Sequence, residues 1–129
     1  RSLIEKLTVE GVADARQIFL LGFSQSVAIN YRFAFTHPSS LRGVVAICGG
    51  LPGDWETSEL YQETGAAIFH LNGTRDEFYP PARTNDYEEK LKQRTHKVLV
   101  KNYDAGHELI PAMREEIKNW LDAIYTSGE

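Results

Sequence analysis

Four short strand-like segments, the first of them an apolar run with no alternation, set the architecture of this chain. They cover residues 17–22, 43–48, 66–72 and 97–103, and a glycine-bearing loop follows each. A strand wetted on one face alternates, whereas an unbroken apolar run fits a strand covered on both faces, as in a parallel sheet. Helical spacing fills the gaps. Val27, Ala28, Tyr31, Ala34 and Phe35 recur every three or four positions over 25–36, and His37-Pro38 stops that helix. Met113, Ile117, Trp120, Leu121 and Ile124 form the stripe of a last helix over 111–125. A polar helix is expected over 81–94, with Pro81 in its first turn, and a short one within 55–63. Leu3, Ile4 and Leu7 read as the last turns of a helix over residues 1–7. Strand–helix alternation of this kind predicts an α/β fold: a parallel sheet with flanking helices and right-handed crossovers.

The remaining composition removes whole classes of function. The 14 Lys+Arg against 18 Asp+Glu give a net charge of −4, with no basic stretch to neutralise phosphates, so no nucleic-acid partner is expected. A single cysteine, Cys48, excludes an internal disulfide framework and a Cys-rich zinc site. Cys48 reads as a small buried apolar residue on a strand. No apolar run approaches the ~20 residues of a membrane span. No leader-like segment opens the chain, so a cytoplasmic location is expected. At 129 residues the chain has the length of one domain.

In open parallel sheets, ligands gather at the carboxyl ends of the strands. After the first run comes Gly22-Phe23-Ser24-Gln25-Ser26, a G-x-S-x-G elbow with Ser in the last place. Such an elbow holds a serine on a tight strand-to-helix turn, its hydroxyl clear of the backbone. The next amide, that of Gln25, then lies at a helix N-terminus, where it can donate to an oxyanion. After the third run comes Asn72-Gly73-Thr74-Arg75-Asp76-Glu77, in which Asp76 is the candidate to orient a histidine and Glu77 the weaker one. After the fourth comes Asp104-Ala105-Gly106-His107-Glu108-Leu109, which offers His107. The other histidines fit less well: His37 ends a helix, His70 lies inside a strand, and His96 precedes a strand at the opposite edge. Ser24, Asp76 and His107 share one sheet edge, and their order separates them from the chymotrypsin and subtilisin arrangements.

These segments resemble the C-terminal half of an α/β-hydrolase, nearest the phospholipase/carboxylesterase group with its acyl-protein thioesterases and akin to dienelactone hydrolases. Phe19-Leu20-Leu21-Gly22-Phe23-Ser24-Gln25 is similar to the nucleophile segment of that group. Val44-Val45-Ala46-Ile47-Cys48-Gly49-Gly50 is similar to its next strand, His70-Leu71-Asn72-Gly73-Thr74-Arg75-Asp76 to its acid loop, and Ala105-Gly106-His107-Glu108 to its histidine loop.

The resemblance implies a single α/β-hydrolase domain over 1–129 that lacks its N-terminal strands and holds the last four. It implies a serine hydrolase of carboxylic esters or thioesters, with Ser24 as nucleophile, His107 as base, Asp76 as its orienting acid and the Gln25 amide in the oxyanion hole. No metal or cofactor is implied. Phe23, Leu51, Trp55, Phe78, Tyr79 and Leu109 flank these loops and are expected to form an apolar substrate pocket. Ser26 stands where the group usually has Gly, and its side chain is expected to crowd the helix–strand packing. The group's second oxyanion donor comes from a loop before the nucleophile strand. That strand is expected to pair with a missing N-terminal segment or another chain, since a bare edge templates association. The alternative is a truncated or degenerate hydrolase acting as a non-catalytic binding or assembly module.

Overall fold

The computed structural model describes residues 18–126; the helix read over residues 1–7 lies outside the described residues. The elements run β1 (Phe19–Phe23), α1 (Gln25–Thr36), β2 (Gly43–Ile47), β3 (Ala67–Gly73), α2 (Pro81–Thr84), α3 (Tyr87–Lys92), β4 (Val98–Tyr103) and α4 (Pro111–Thr126). The strands form one parallel sheet in the order β1-β2-β3-β4. All four carboxyl ends therefore meet at one edge.

Side chains alternate between two cores, as the twofold period of a strand requires. Val44, Ala46 and Ile68 pack against Val27, Tyr31, Ala34 and Phe35 of α1. Val45, Ile47, Phe69 and Leu71 pack against Met113 and Ile117 of α4. Every residue of β2 and β3 is buried, in line with their unalternating apolar sequence.

The outer strands differ. Leu21 is 59% exposed and Phe23 38%, although the β1 run reads as buried on both faces. Trp120 of α4 reaches Phe19, at a ring separation of 6.0 Å, while Leu21 in the middle of β1 and Phe23 at its end stay exposed. Among the described residues β1 pairs with β2 alone.

Two expected helices also change. Residues 55–63 form turns. Part of their backbone is bonded from distant elements: Arg94 donates to the Trp55 and Tyr61 carbonyls, and the Gln62 amide donates to Phe35 O. The indole of Trp55 is buried against Phe35 and Tyr61. The helix over 81–94 is broken into α2 and α3 at Asn85-Asp86, residue types that compete with helical hydrogen bonding. Asp86 (φ −107°, ψ 4°) leaves the helical region.

Candidate active site

Strand β1 ends at Phe23 and helix α1 begins at Gln25, so Ser24 makes the whole turn between them. Its backbone sits at φ 60°, ψ −120°, a region costly for any residue with a side chain. The surroundings hold it there. The Ser24 amide donates to Ile47 O at 3.0 Å, pinning the turn to the end of β2. Glycines allow the close approach: a Cβ on Gly49 would lie 2.3 Å from Val27 Cβ and 2.6 Å from Ser24 O.

Ser26 behaves differently from the expected crowding. Its hydroxyl donates to Phe23 O at 2.8 Å and accepts from the Phe23 amide at 2.9 Å, so it ties the first turn of α1 back onto β1. Gln25 opens α1, and its amide therefore has no acceptor one turn back in the helix.

Asp76 and His107 stand on two loops laced to each other. The Thr74 amide donates to Tyr103 O at 2.8 Å and the Arg75 amide to Ala105 O at 2.9 Å. An exposed Arg75–Asp104 ion pair spans the same gap. Gly73 allows the approach, since a Cβ there would meet Gly106 O at 2.4 Å and Ala105 O at 2.5 Å. The Asp76 side chain is fully buried. Its Oδ1 accepts from the Phe78 and Tyr79 amides at 2.8 and 3.0 Å, and its Oδ2 lies 2.9 Å from His107 Nδ1. Burial pushes the Asp76 pKa up. The His107 hydrogen bond and the two amides outweigh that effect, and the carboxyl stays below its ordinary value, hence ionised.

His107 Nε2 lies 3.0 Å from Ser24 Oγ. An ionised Asp76 only accepts, so Nδ1 carries the imidazole proton and Nε2 presents its lone pair to the serine hydroxyl. Such a chain can draw a proton from Ser24 as its oxygen attacks. Glu77 is exposed, and Asp76 holds the histidine contact.

Three aromatic rings surround the imidazole: Phe23 at 4.8 Å, Phe78 at 4.9 Å and Tyr79 at 6.0 Å between centroids. Arg83, which sequence reasoning passed over, covers the Tyr79 ring at 4.4 Å and donates to Phe78 O at 3.0 Å. Leu51 and Trp55 make no ring contact with the imidazole among the described residues. They line a depression with Arg83, Tyr87 and Lys90 that Ser24, Asp76 and His107 do not border. Leu109 is 36% exposed, two residues past His107 in the same loop.

The other histidines stay away from Ser24. His37 stacks on Phe33 at the end of α1, and His96 is exposed before β4. His70 is buried, its Nδ1 2.6 Å from Tyr31 Oη. Cys48 leaves β2 at φ 51° instead of continuing it, which turns its thiol toward the histidine loop. Its place just past a carboxyl strand end was the signal for that position.

A parallel sheet with a serine elbow after one strand and helices on both faces is the α/β-hydrolase fold. Solved structures agree. The Bacillus cereus carboxylesterase superposes with a TM-score of 0.79 at 20% identity, over 94% of this chain and 56% of that one. Arabidopsis thaliana SOBER1 gives 0.82 at 19% identity, over 95% of this chain and 60% of that one. The Phospholipase/Carboxylesterase family model matches residues 1–125, and the chain belongs to that family. Acyl-protein thioesterase 1 of Eremothecium gossypii is 30% identical over 131 aligned residues, covering 94% of this chain and 54% of the relative. The chain thus spans about half the length of that curated relative.

Proposed function

We propose that the chain carries the catalytic residues of a serine hydrolase that cleaves carboxylic esters or thioesters through an acyl-enzyme. One observation carries this reading: the unbroken chain of contacts from Ser24 Oγ through His107 to Asp76, at 3.0 and 2.9 Å. Ser24 Oγ attacks the substrate carbonyl while His107 Nε2 takes its proton. Asp76 keeps the imidazole proton on Nδ1 and stabilises the imidazolium. The oxyanion faces the Gln25 amide, aided by the positive end of the α1 dipole. His107 then returns the proton to the leaving alcohol or thiol, and water removes the acyl group by the same route. Phe23, Phe78 and Tyr79 give the acyl or leaving group an apolar wall. The substrate is a small-molecule ester or thioester, and no described helix is long and apolar enough to cross a bilayer.

A fluorophosphonate probe tests the reading. Ser24 Oγ bonds to phosphorus and fluoride leaves, so the wild-type protein is labelled and Ser24→Ala is not. Absence of labelling in the wild type, or labelling that survives in Ser24→Ala, sinks it. The exposure of Leu21 on the open side of β1 favours a second reading, a non-catalytic assembly module. We also propose that the outer edge of β1 pairs with a further segment or a second copy. Association without labelling would select the assembly reading.

A further inference from the structure

Beneath the histidine loop, three chemically different metal-binding side chains converge. The ligand atoms of Cys48, Asp76 and His107 all lie within 4.8 Å of one another. Cys48 and Asp76 are buried and His107 is partly open. The thiol is not turned away from this cluster. Cys48 Sγ lies 3.6 Å from Glu108 O and 4.0 Å from Gly106 O, the carbonyls on either side of His107. Hydrolysis as proposed above uses Asp76 and His107 and leaves Cys48 idle.

We propose that Cys48, Asp76 and His107 form an inhibitory site for a thiophilic divalent cation of the Zn²⁺ class. Zinc takes sulfur at about 2.3 Å and histidine nitrogen or carboxylate oxygen at about 2.0–2.2 Å, which sets tetrahedral ligands roughly 3.5 Å apart. The Asp76 Oδ2–His107 Nδ1 pair, at 2.9 Å, would open slightly to admit the ion, and the thiol, with all three ligand atoms within 4.8 Å, would close toward it. Charge also balances: one thiolate and one carboxylate neutralise a divalent ion, so the buried site ends without net charge. Hard cations gain little from a sulfur ligand, which makes the site selective against Mg²⁺ and Ca²⁺.

The proton balance is explicit. Binding forms Sγ–metal, Oδ–metal and Nδ1–metal bonds. The Cys48 thiol releases one proton to solvent, and the imidazole proton moves from Nδ1 to Nε2. Because the thiol must lose its proton to bind the ion, binding tightens as pH rises. With Nε2 protonated, His107 faces Ser24 as a donor and can no longer take its proton. The ion site stands on its own geometry; its inhibitory effect rests on the hydrolase reading.

Cadmium titration of the full chain tests it, read by the ultraviolet charge-transfer absorption of a cadmium–thiolate bond. Cys48 is the sole cysteine, so any such band reports this thiol. The expected result is a one-to-one band with release of one proton per ion, unaffected by excess Mg²⁺. Asp76→Asn and His107→Gln should each weaken it at least about tenfold, since losing even an outer-shell partner costs ~10–100-fold in metal affinity. No band in the wild type overturns the proposal. So does a band of unchanged affinity in both variants, which marks a lone thiol. Zinc should also slow fluorophosphonate labelling, chelation should restore it, and the ratio of rates with and without zinc should return to about one in Cys48→Ala. Slowing that persists in Cys48→Ala counts against the site. A chain that never labels defeats the hydrolase reading instead, while the cadmium band still decides the ion site.

Discussion

Ser24 Oγ and His107 Nε2 lie 3.0 Å apart although 83 positions separate them in the chain. Neither residue is steered there by its own neighbours alone. The elbow is fixed by the Ser24 amide on Ile47, and the histidine loop by the Thr74 and Arg75 amides on Tyr103 and Ala105. Strands β2, β3 and β4, in parallel register, connect these anchor points.

Asp76→Asn should lower kcat by about 10⁴ with little change in fold, because an amide at this place no longer fixes the proton on Nδ1. The Phe78 and Tyr79 amides can still donate to the remaining carbonyl oxygen, so the loop stays in place. Steady-state hydrolysis of an activated ester, alongside thermal unfolding, separates the two effects. A large loss of stability with unchanged turnover would assign Asp76 a structural role.

Gly73→Ala tests the lacing of the two loops. A methyl group there would stand 2.4 Å from Gly106 O, one residue from His107. The backbone has to move, at a cost of roughly 1–3 kcal/mol by analogy with overpacked cores. Turnover should fall further than that cost suggests, since the movement shifts His107 from Ser24. Full activity at wild-type stability would show that the loops are not so tightly joined.

The sheet was legible where its surroundings are uniform. Strands β2 and β3 are buried throughout, and their unalternating apolar runs say so. The same pattern misleads at β1, because a run of apolar residues records what a strand can be covered by, not what covers it. Leu21, in the middle of β1, stays exposed. Turns over 55–63 were hidden because Arg94, more than thirty positions away, takes over carbonyls that a helix would have used. Ser24, Asp76 and His107 could be picked only from the conjunction of elbow motif, shared strand-end edge and chain order. Arg83 could not, since its relation to the site exists only after the loops fold over it; Cys48 stood at a strand end but read as a buried strand residue, its thiol meeting the histidine loop only in the fold.

Ser26→Ala removes both hydrogen bonds between the first turn of α1 and Phe23. The site is exposed and water can replace part of the loss, so the expected cost is about 1 kcal/mol. Ser26→Gly should cost more, because glycine adds conformational freedom in a helix. Urea unfolding of both variants checks the ranking; a stabilised Ser26→Gly would mean that the hydroxymethyl group strains the elbow after all.

Leu21→Lys should reduce self-association of the chain. Leu21 and Phe23 are 59% and 38% exposed beside an outer edge of β1 that no other described strand pairs. Apolar side chains next to an open strand edge favour edge-to-edge pairing, and a lysine opposes it. Sedimentation velocity over a range of concentrations gives the answer. A wild type that stays monomeric throughout, or a variant that associates as strongly, rules out this surface as the cause.

His70 makes the fold acid-sensitive in a window above that of the buried Asp76. Its ring is fully buried against Tyr31 and Tyr87. Burial pushes its pKa from 6.5 down to about 4, against weaker opposing contributions from the Gly49 backbone and Asn72. Between these values the unfolded chain binds the proton more readily than the folded one, so stability rises with pH there. It is complete above 6.5 and is lost as pH falls toward 4. At about pH 5 the deficit is on the order of 2 kcal/mol. Asp76 has a lowered pKa and loses its contribution only below the ordinary carboxylate value of 3.8, outside this window. The urea midpoint of the wild type should therefore drop more between about pH 7.5 and about pH 5 than that of His70→Gln. Equal drops in the two proteins would show that His70 is not the group responsible.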